Sequence, residues 1–372
     1  MAVRRSDSTA EVLTQRQLNR ALLERQHLLS RVTRPAFDEV EHLVGLQAQI
    51  PTDPYVALWS RLDGFTTDEL SGLVERGQVV RTPVMRGTLH LVSAADALSL
   101  RALVQPVLER MFWKGSPFAR HLEGLDVEEV LAAGRAYLDE KPRPSAALAK
   151  HLATRWPDRD ATSLAYALRF LTPMIQVPPR GMWGASHQPT WATVASWLGR
   201  PVPNDPTPDG AILRYLAAFG PASVMDVQAW CWRTKLREGM ERLRPGLRTF
   251  RSEAGVELFD LPDAPRPDPE TPAPPRFLPE YDNLVLSHAD RTRVIDRVFG
   301  DGWWKGACLV DGVVRATWRF VREPETTRLE VKTFVAMLPA DRAALTEEGE
   351  RLLAFVAPMA ADRDVRFFDA AG

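Results

Sequence analysis

The sequence predicts an α+β chain built from three tandem winged-helix modules and a smaller β-rich C-terminal domain. Three observations carry this. Apolar-periodic helical runs closed by a β-rich hairpin recur three times between residues 13 and 262, and three helices closed by a hairpin is the winged form of the helix-turn-helix. The stretch "DAPRPDPETPAPPR", residues 263–276, then interrupts the chain and can be neither helix nor central strand. Beyond it the pattern turns from helical to mostly extended, with one further helical run.

The elements follow in order. Residues 1–12, "MAVRRSDSTAEV", hold two arginines with no apolar stretch after them. They are expected to form a disordered arm and not a secretory signal. Module 1 spans 13–122. Its helices are expected in "TQRQLNRALLERQHLLS", in "AFDEVEHLVGLQAQ" after Pro35, and in "TTDELSGLVERGQ" with Thr67 as the cap. The hairpin is "VVRTPVMRGTLHLVS", turned at Arg86-Gly87, and "AADALSLRALVQPVLERMFWK" is a connecting helix. Module 2 spans 123–200, with helices in "VEEVLAAGRAYLDEK", "PSAALAKHLATRWP" and "SLAYALRFLTPMIQ" before extended segments around "VPPRGMWGAS". Module 3 spans 201–262, with helices in "DGAILRYLAAFG", "SVMDVQAWCW" and "TKLREGMERLRPG" and a hairpin in "LRTFRSEAGVELFDL". The prolines of 263–276 make a semi-rigid spacer. Residues 277–372 should form strands in "FLPEYDNLVLSH", "GACLVDGVVRATWRFV", "RLEVKTFVAML" and "DVRFFDA", with one helix in "ADRAALTEEGERLLAFVAP". A barrel or a sheet with one helix across it would fit.

Composition narrows the function. The chain has 372 residues, 45% hydrophobic and 26% charged, as expected of a multi-module globular protein. No apolar run reaches the ~20 residues of a membrane span. Two cysteines, Cys231 and Cys308, and seven scattered histidines supply neither a disulfide framework nor a metal cluster. The expected setting is cytoplasmic, with no metal and no cofactor. A net charge of −1 argues against non-specific coating of nucleic acid. The charge is nonetheless uneven. From Trp230 to Arg251 seven basic residues face two acids, and from Glu253 to Asp282 eight acids face two arginines. That fits either an oriented polyanion-binding face or a solvated helix beside a charged linker.

The chain has no P-loop, G-x-G-x-x-G, H-E-x-x-H or G-x-S-x-G motif. What stands out is Gln47-Ala48-Gln49 in "GLQAQIPTDPYVALWSRL". On a helix, residues i and i+2 face apart, whereas in extended chain they share a face. Pro51 pushes the preceding residue out of helical geometry. From spacing alone the pair reads as a helix cap beside a polar groove.

Several segments, in order along nearly the whole chain, resemble the AlkZ/YcaQ-like winged-helix DNA glycosylases: "GLQAQIPTDPYVALWSRL", "RTPVMRGTLHLV", "QVPPRGMWGAS", "FGPASVMDVQAW" and "LPEYDNLVLSHADRTRV". The resemblance implies three winged-helix modules and a β-rich part arranged around a DNA channel. It implies hydrolysis of the N-glycosidic bond of alkylated purines, in some members within interstrand crosslinks. The family's Gln-x-Gln motif falls on Gln47 and Gln49, which become the expected catalytic residues. Amides cannot titrate, but a purine alkylated at N7 or N3 is cationic and leaves without a general acid. A water and two side-chain carbonyls aimed at the developing sugar cation would then suffice.

Expected DNA contacts are Arg86 and Arg180 on wing turns, and Arg233, Lys235 and Arg237 at the start of the last helix of module 3. Trp183 is expected either to wedge or stack against bases or to pack in the core. No lysine adjoins the glutamines, so no lyase activity is expected. Three modules in one chain could surround duplex DNA as a monomer. The competing reading is a winged-helix transcription regulator with a C-terminal sensing domain. A housekeeping repair role and self-protection against a DNA-alkylating antibiotic both fit.

Overall fold

The computed structural model describes residues 11–203, 207–295, 305–323 and 326–369. Residues 1–10, most of the expected disordered arm, lie outside that range. The arm does not extend to residue 12, because Val12–Leu13 is a strand, β1. Thr14 caps α1 (Gln15–Arg25) reciprocally: its Oγ1 accepts from Gln17 N at 3.2 Å and its N–H donates to Gln17 Oε1 at 2.8 Å. The helix stops before the expected end because His27 takes φ 52°, and Leu28 and Leu29 enter the core from irregular chain.

The second helix is also shorter than its apolar run. After α2 (Ala36–His42), Val44 and Gly45 adopt φ 54° and 92°. A Cβ at Gly45 would lie 2.6 Å from Val92 Cγ1, so this turn needs glycine. The chain emerges extended as β2 (Leu46–Gln47). An unexpected helix, α3 (Asp53–Arg61), starts with Pro54 in its first turn, where the missing N–H costs nothing. In α4 (Thr67–Glu75) the cap is Thr66 and not Thr67, with Thr66 Oγ1 accepting from Glu69 N at 3.4 Å. The hairpin β3 (Val79–Pro83) and β4 (Leu89–Ser93) and the long helix α5 (Ala94–Gly115) follow as expected.

Module 2 contains α6 (Val127–Glu140), β5 (Arg143–Pro144), α7 (Ser145–Arg155), α8 (Ala161–Leu171), β6 (Met174–Gln176), β7 (Thr190–Thr193) and the short α9 (Val194–Leu198). Pro173 ends α8, so the last residues of the expected helix become β6. Module 3 contains α10 (Asp209–Phe219), α11 (Val224–Cys231), α12 (Arg237–Leu243) and the hairpin β8 (Arg248–Ser252) and β9 (Glu257–Asp260). In the C-terminal part, "FLPEYDNLVLSH" is not one strand. It divides into β10 (Arg276–Leu278) and one turn of helix, α13 (Asn283–Leu286). Then come β11 (Gly306–Val310), β12 (Val313–Arg322), β13 (Thr326–Thr333), α14 (Pro339–Val356) and β14 (Asp362–Phe368).

Strand pairing joins what the sequence separates. The strands between residues 46 and 193 join in one six-stranded sheet, β2-β4-β3-β6-β7-β5, through Arg81 opposite Gln176. β1 pairs in parallel with β8, so the start of the chain belongs to the third hairpin's sheet. The C-terminal sheet is β10-β11-β12-β13-β14, and its last two strands are parallel, bridged by α14. Of the two forms expected, it is the sheet with one helix. The proline-rich stretch is no free spacer: Arg20 Nε donates to Thr271 O at 2.7 Å and Arg25 Nη2 to Pro265 O at 3.1 Å. One apolar core runs through Leu22, Val84, Leu103, Tyr215, Trp230 and Leu309, which belong to modules 1 and 3 and the C-terminal domain.

Candidate active site

The early end of α2 decides where the glutamines stand. Gln47 lies on β2 opposite His90, and Ala48 N donates to Leu89 O at 2.8 Å. The chain is therefore extended here, and Gln47 and Gln49 line the same cavity of about 520 Å³ with Thr88, Trp232, His288 and Arg291. Gln47 is 6% exposed, and Gln49 is exposed with its Oε1 accepting from Leu89 N at 3.3 Å.

Arg86 sits in the hairpin turn at φ 57°, and this left-handed turn directs its side chain inward. The guanidinium donates to Trp230 O at 2.8 Å, Asn283 Oδ1 at 2.8 Å, Gln47 Oε1 at 3.1 Å and His90 Nε2 at 3.2 Å. Thr88 Oγ1 also donates to Gln47 Oε1, at 3.2 Å. A guanidinium has only donors, so the amide of Gln47 must turn its oxygen toward Arg86. That oxygen is fully used, and the NH₂ group is the end left for a ligand. The expectation of two free carbonyls is corrected: one is occupied, and the other, on Gln49, has one lone pair committed to backbone.

The histidine is set by the same logic. His90 Nδ1 donates to Thr88 O at 3.0 Å, leaving Nε2 to accept from Arg86. Burial, reinforced by the Arg86 charge, lowers its pKa to about 3, so it stays neutral. Burial also pulls Arg86 down to about 10, which leaves it a cation at neutral pH. On the far side, Asn283 Nδ2 donates to Gly45 O at 2.9 Å. Asp282, beside it, holds Arg61 in a two-pronged ion pair at 2.8 and 3.0 Å. This corner carries the C-terminal segment onto β2 and α3.

The remaining expected contacts divide. Arg86 is not a wing-tip arginine: α11 and α13 cover its turn, and it is buried. Arg180 is half-buried, with Nη1 donating to His187 O at 2.6 Å. Trp183 is half-buried, packing 4.9 Å from Tyr55 and 5.8 Å from Phe355 while also lining a further cavity. Lys235 and Arg237 are exposed, and Arg233 is half-buried, donating to Leu103 O at 2.9 Å. Only Arg237 belongs to α12; Arg233 and Lys235 lie in the turn before it and line a groove of about 520 Å³ with Arg110 and Arg242.

Sequence reading missed Trp232, which is 47% exposed at φ 60° and lines the glutamine cavity. It also missed His288 and Arg291, although the segment "LSHADRTRV" was conspicuous. The signal for Trp232 was its place directly before the basic stripe.

A family model described as "DNA glycosylase AlkZ-like" matches residues 40–355. A solved structure described as "Streptomyces sahachiroi DNA glycosylase AlkZ" is similar with a TM-score of 0.73 and 22% identity, covering 96% of this chain and 100% of that one. No curated protein matches the chain in sequence.

Proposed function

The chain belongs to the AlkZ-like family of DNA glycosylases, and from that premise we propose that it hydrolyses the N-glycosidic bond of cationic N7- and N3-alkylpurines in duplex DNA, with Gln47 and Gln49 holding the attacking water. The observation that carries the reading is the convergence of both amides on one cavity, with Gln47 locked by Arg86 and Thr88. A water placed between them would accept from the Gln47 NH₂ and donate to the open lone pair of Gln49 Oε1. That keeps an oxygen lone pair for C1′ of the sugar. No strong base is needed, because the leaving purine is already cationic and the transition state resembles an oxocarbenium ion. Fixed dipoles favour it because they need not reorganise as charge develops.

Among the described residues lining the cavity there is no lysine, the group on which a Schiff-base lyase depends; this supports a monofunctional enzyme. The cavity volume of about 520 Å³ is compatible with purine adducts larger than methyl, and crosslinks belong to the same proposed class of cationic leaving group.

The test is single-turnover release of base from duplex carrying N7-methylguanine. Gln47→Ala and Gln49→Ala should each slow release by roughly 10- to 1000-fold, with DNA affinity little changed. Uracil and 8-oxoguanine, neutral leaving groups, should remain in place. Uracil release at a comparable rate would sink the assignment, and a transcription regulator would release no base at all.

A further inference from the structure

A second cavity, of about 400 Å³, opens between α3 and the C-terminal sheet. Its lining adjoins that of the glutamine cavity along the chain. Gln49 and Tyr281 line one, and their chain neighbours Ile50 and Glu280 line the other. The second cavity has its own chemistry. Asp53 and Glu280 contribute carboxyls, Trp318 and Phe320 contribute aromatic wall, and Arg322 lies among the lining residues.

Asp53 is the unexplained group. It is 7% exposed, and its Oδ2 has no hydrogen-bond partner among the described residues. Stripping a carboxyl of water without replacing its hydrogen bonds is costly, so such atoms are rare. Burial, with Glu280 and Asp282 nearby, pushes the Asp53 carboxyl up to about 8. At neutral pH it therefore carries a proton to donate, beside carboxyl oxygens that accept. The aromatic wall is rigid. Trp318 Nε1 donates to Leu278 O at 2.8 Å, and Phe320 packs edge-on at 4.9 Å. The two rings share a face because they are two residues apart on β12.

The fitting ligand is flat and aromatic, with one edge bearing an acceptor and adjacent donors. The Watson–Crick edge of guanine has O6 as acceptor and N1–H and the 2-amino group as donors. Adenine lacks the donor pair, and hypoxanthine lacks the 2-amino group. We propose that this cavity is a guanine-base site, with the Watson–Crick edge against Asp53 and Glu280 and the ring against Trp318 and Phe320. The same chemistry serves a guanine turned out of a duplex or a guanine already released. In either case the base is read by its edge and by stacking, as in other pockets for extruded bases.

The experiment is calorimetric titration of the full chain with guanosine, inosine and adenosine. Guanosine should bind saturably, and the other two at least roughly tenfold more weakly. Asp53→Ala, which removes the donor, and Glu280→Gln should each weaken guanosine by roughly 10- to 100-fold, while Gln49→Ala leaves it unchanged. Thermal unfolding checks each variant. If a carboxyl variant fails to fold, Phe320→Leu provides the second probe and should also weaken guanosine.

Equal affinity for the three nucleosides, no saturable heat with guanosine, or full affinity in both carboxyl variants would overturn the proposal. So would loss of binding in Gln49→Ala alone, which would put the nucleoside in the other cavity. A kinetic arm separates the two sources of base. If the base enters from DNA, Glu280→Gln slows single-turnover excision. If only released base binds, that rate holds, and added 7-methylguanine slows repeated turnover of the wild type but not of Glu280→Gln. The titration does not depend on the glycosylase reading, so either reading can fail without the other.

Discussion

Arg86 ties its neighbours together because it can only donate, so every group it touches must present an acceptor. Asn283 is one of those acceptors, and it connects the C-terminal corner to Gln47 without lining the glutamine cavity. Asn283→Ala should therefore slow base release by roughly tenfold, as Arg86 and Gln47 lose their fixed geometry, and should cost about 1–3 kcal/mol of stability. Asn283→Asp keeps an oxygen for Arg86 but loses the donor to Gly45 O, so it should recover only part of the rate. Single-turnover excision and urea unfolding of both variants check this; equal slowing in both would mean that only the fold was affected. At this scale the glutamines were singled out by the family resemblance, since spacing alone reads the pair as a helix cap beside a polar groove. Arg86 was legible as a residue but not as a role. An arginine before a glycine in a hairpin turn reads as exposed, and nothing local reveals that α11 and α13 close over it.

Helices and hairpins were legible in order, and their ends were not. The ends of α1 and α2 depend on left-handed residues, His27 and Val44, that carry no local signal; Gly45 was the one visible clue. The helix α3 was missed, with no element expected between residues 50 and 65, although Pro54 suits a helix start. The basic stripe also changes at this scale. Arg242 pairs with Asp209, Arg244 with Glu241 and Glu257, and Arg248 with Glu11, so the bare count of charges overstates the face. The turn before α12 keeps Arg233 and Lys235 beside a groove, with Arg237 exposed next to it. Neutralising these three should weaken damaged and undamaged duplex about equally, because phosphates carry no lesion information. The slope of log affinity against log salt should become shallower by up to ~0.9 per lost phosphate contact. Salt titrations of binding on both duplexes measure it, and an unchanged slope would take this turn out of the DNA path.

Across the molecule, three buried titratable groups shape stability against pH. His90 and His288 both have pKa values lowered by burial. Below about pH 6.5 the unfolded chain takes up protons that these two refuse when folded, so stability falls as pH falls. Asp53, raised to about 8, acts with the opposite sign. Folded it keeps a proton that the unfolded chain has lost, so stability falls as pH rises toward 8. Each proton corresponds to about 1.4 kcal/mol per pH unit. From these groups the maximum should lie near pH 6.5, and Asp53→Asn should flatten the alkaline side. Urea unfolding at pH 5, 6.5 and 8 tests both; an alkaline slope that survives in Asp53→Asn would exclude Asp53 as its origin. The helical runs and the β-rich end were legible as periodicities. The shared six-stranded sheet and the common core were not, because pairing between distant strands leaves no periodic mark on either one.

The attachments of α1 also set a schedule for synthesis. Asn19 Nδ2 donates to Arg293 O at 2.7 Å and Gly312 O at 2.8 Å, and Arg20 reaches Asp311 and Thr271. During synthesis this helix must wait for chain nearly three hundred residues later. At ~5–20 residues per second that delay is roughly 15 to 60 s. For that interval its buried face, including Leu22 and Leu23, has only part of its final cover. A chain that stops before residue 311 therefore leaves Asn19 and Arg20 without Gly312 and Asp311, although Arg25 still meets Asp260 and Gln26 still meets Ala218.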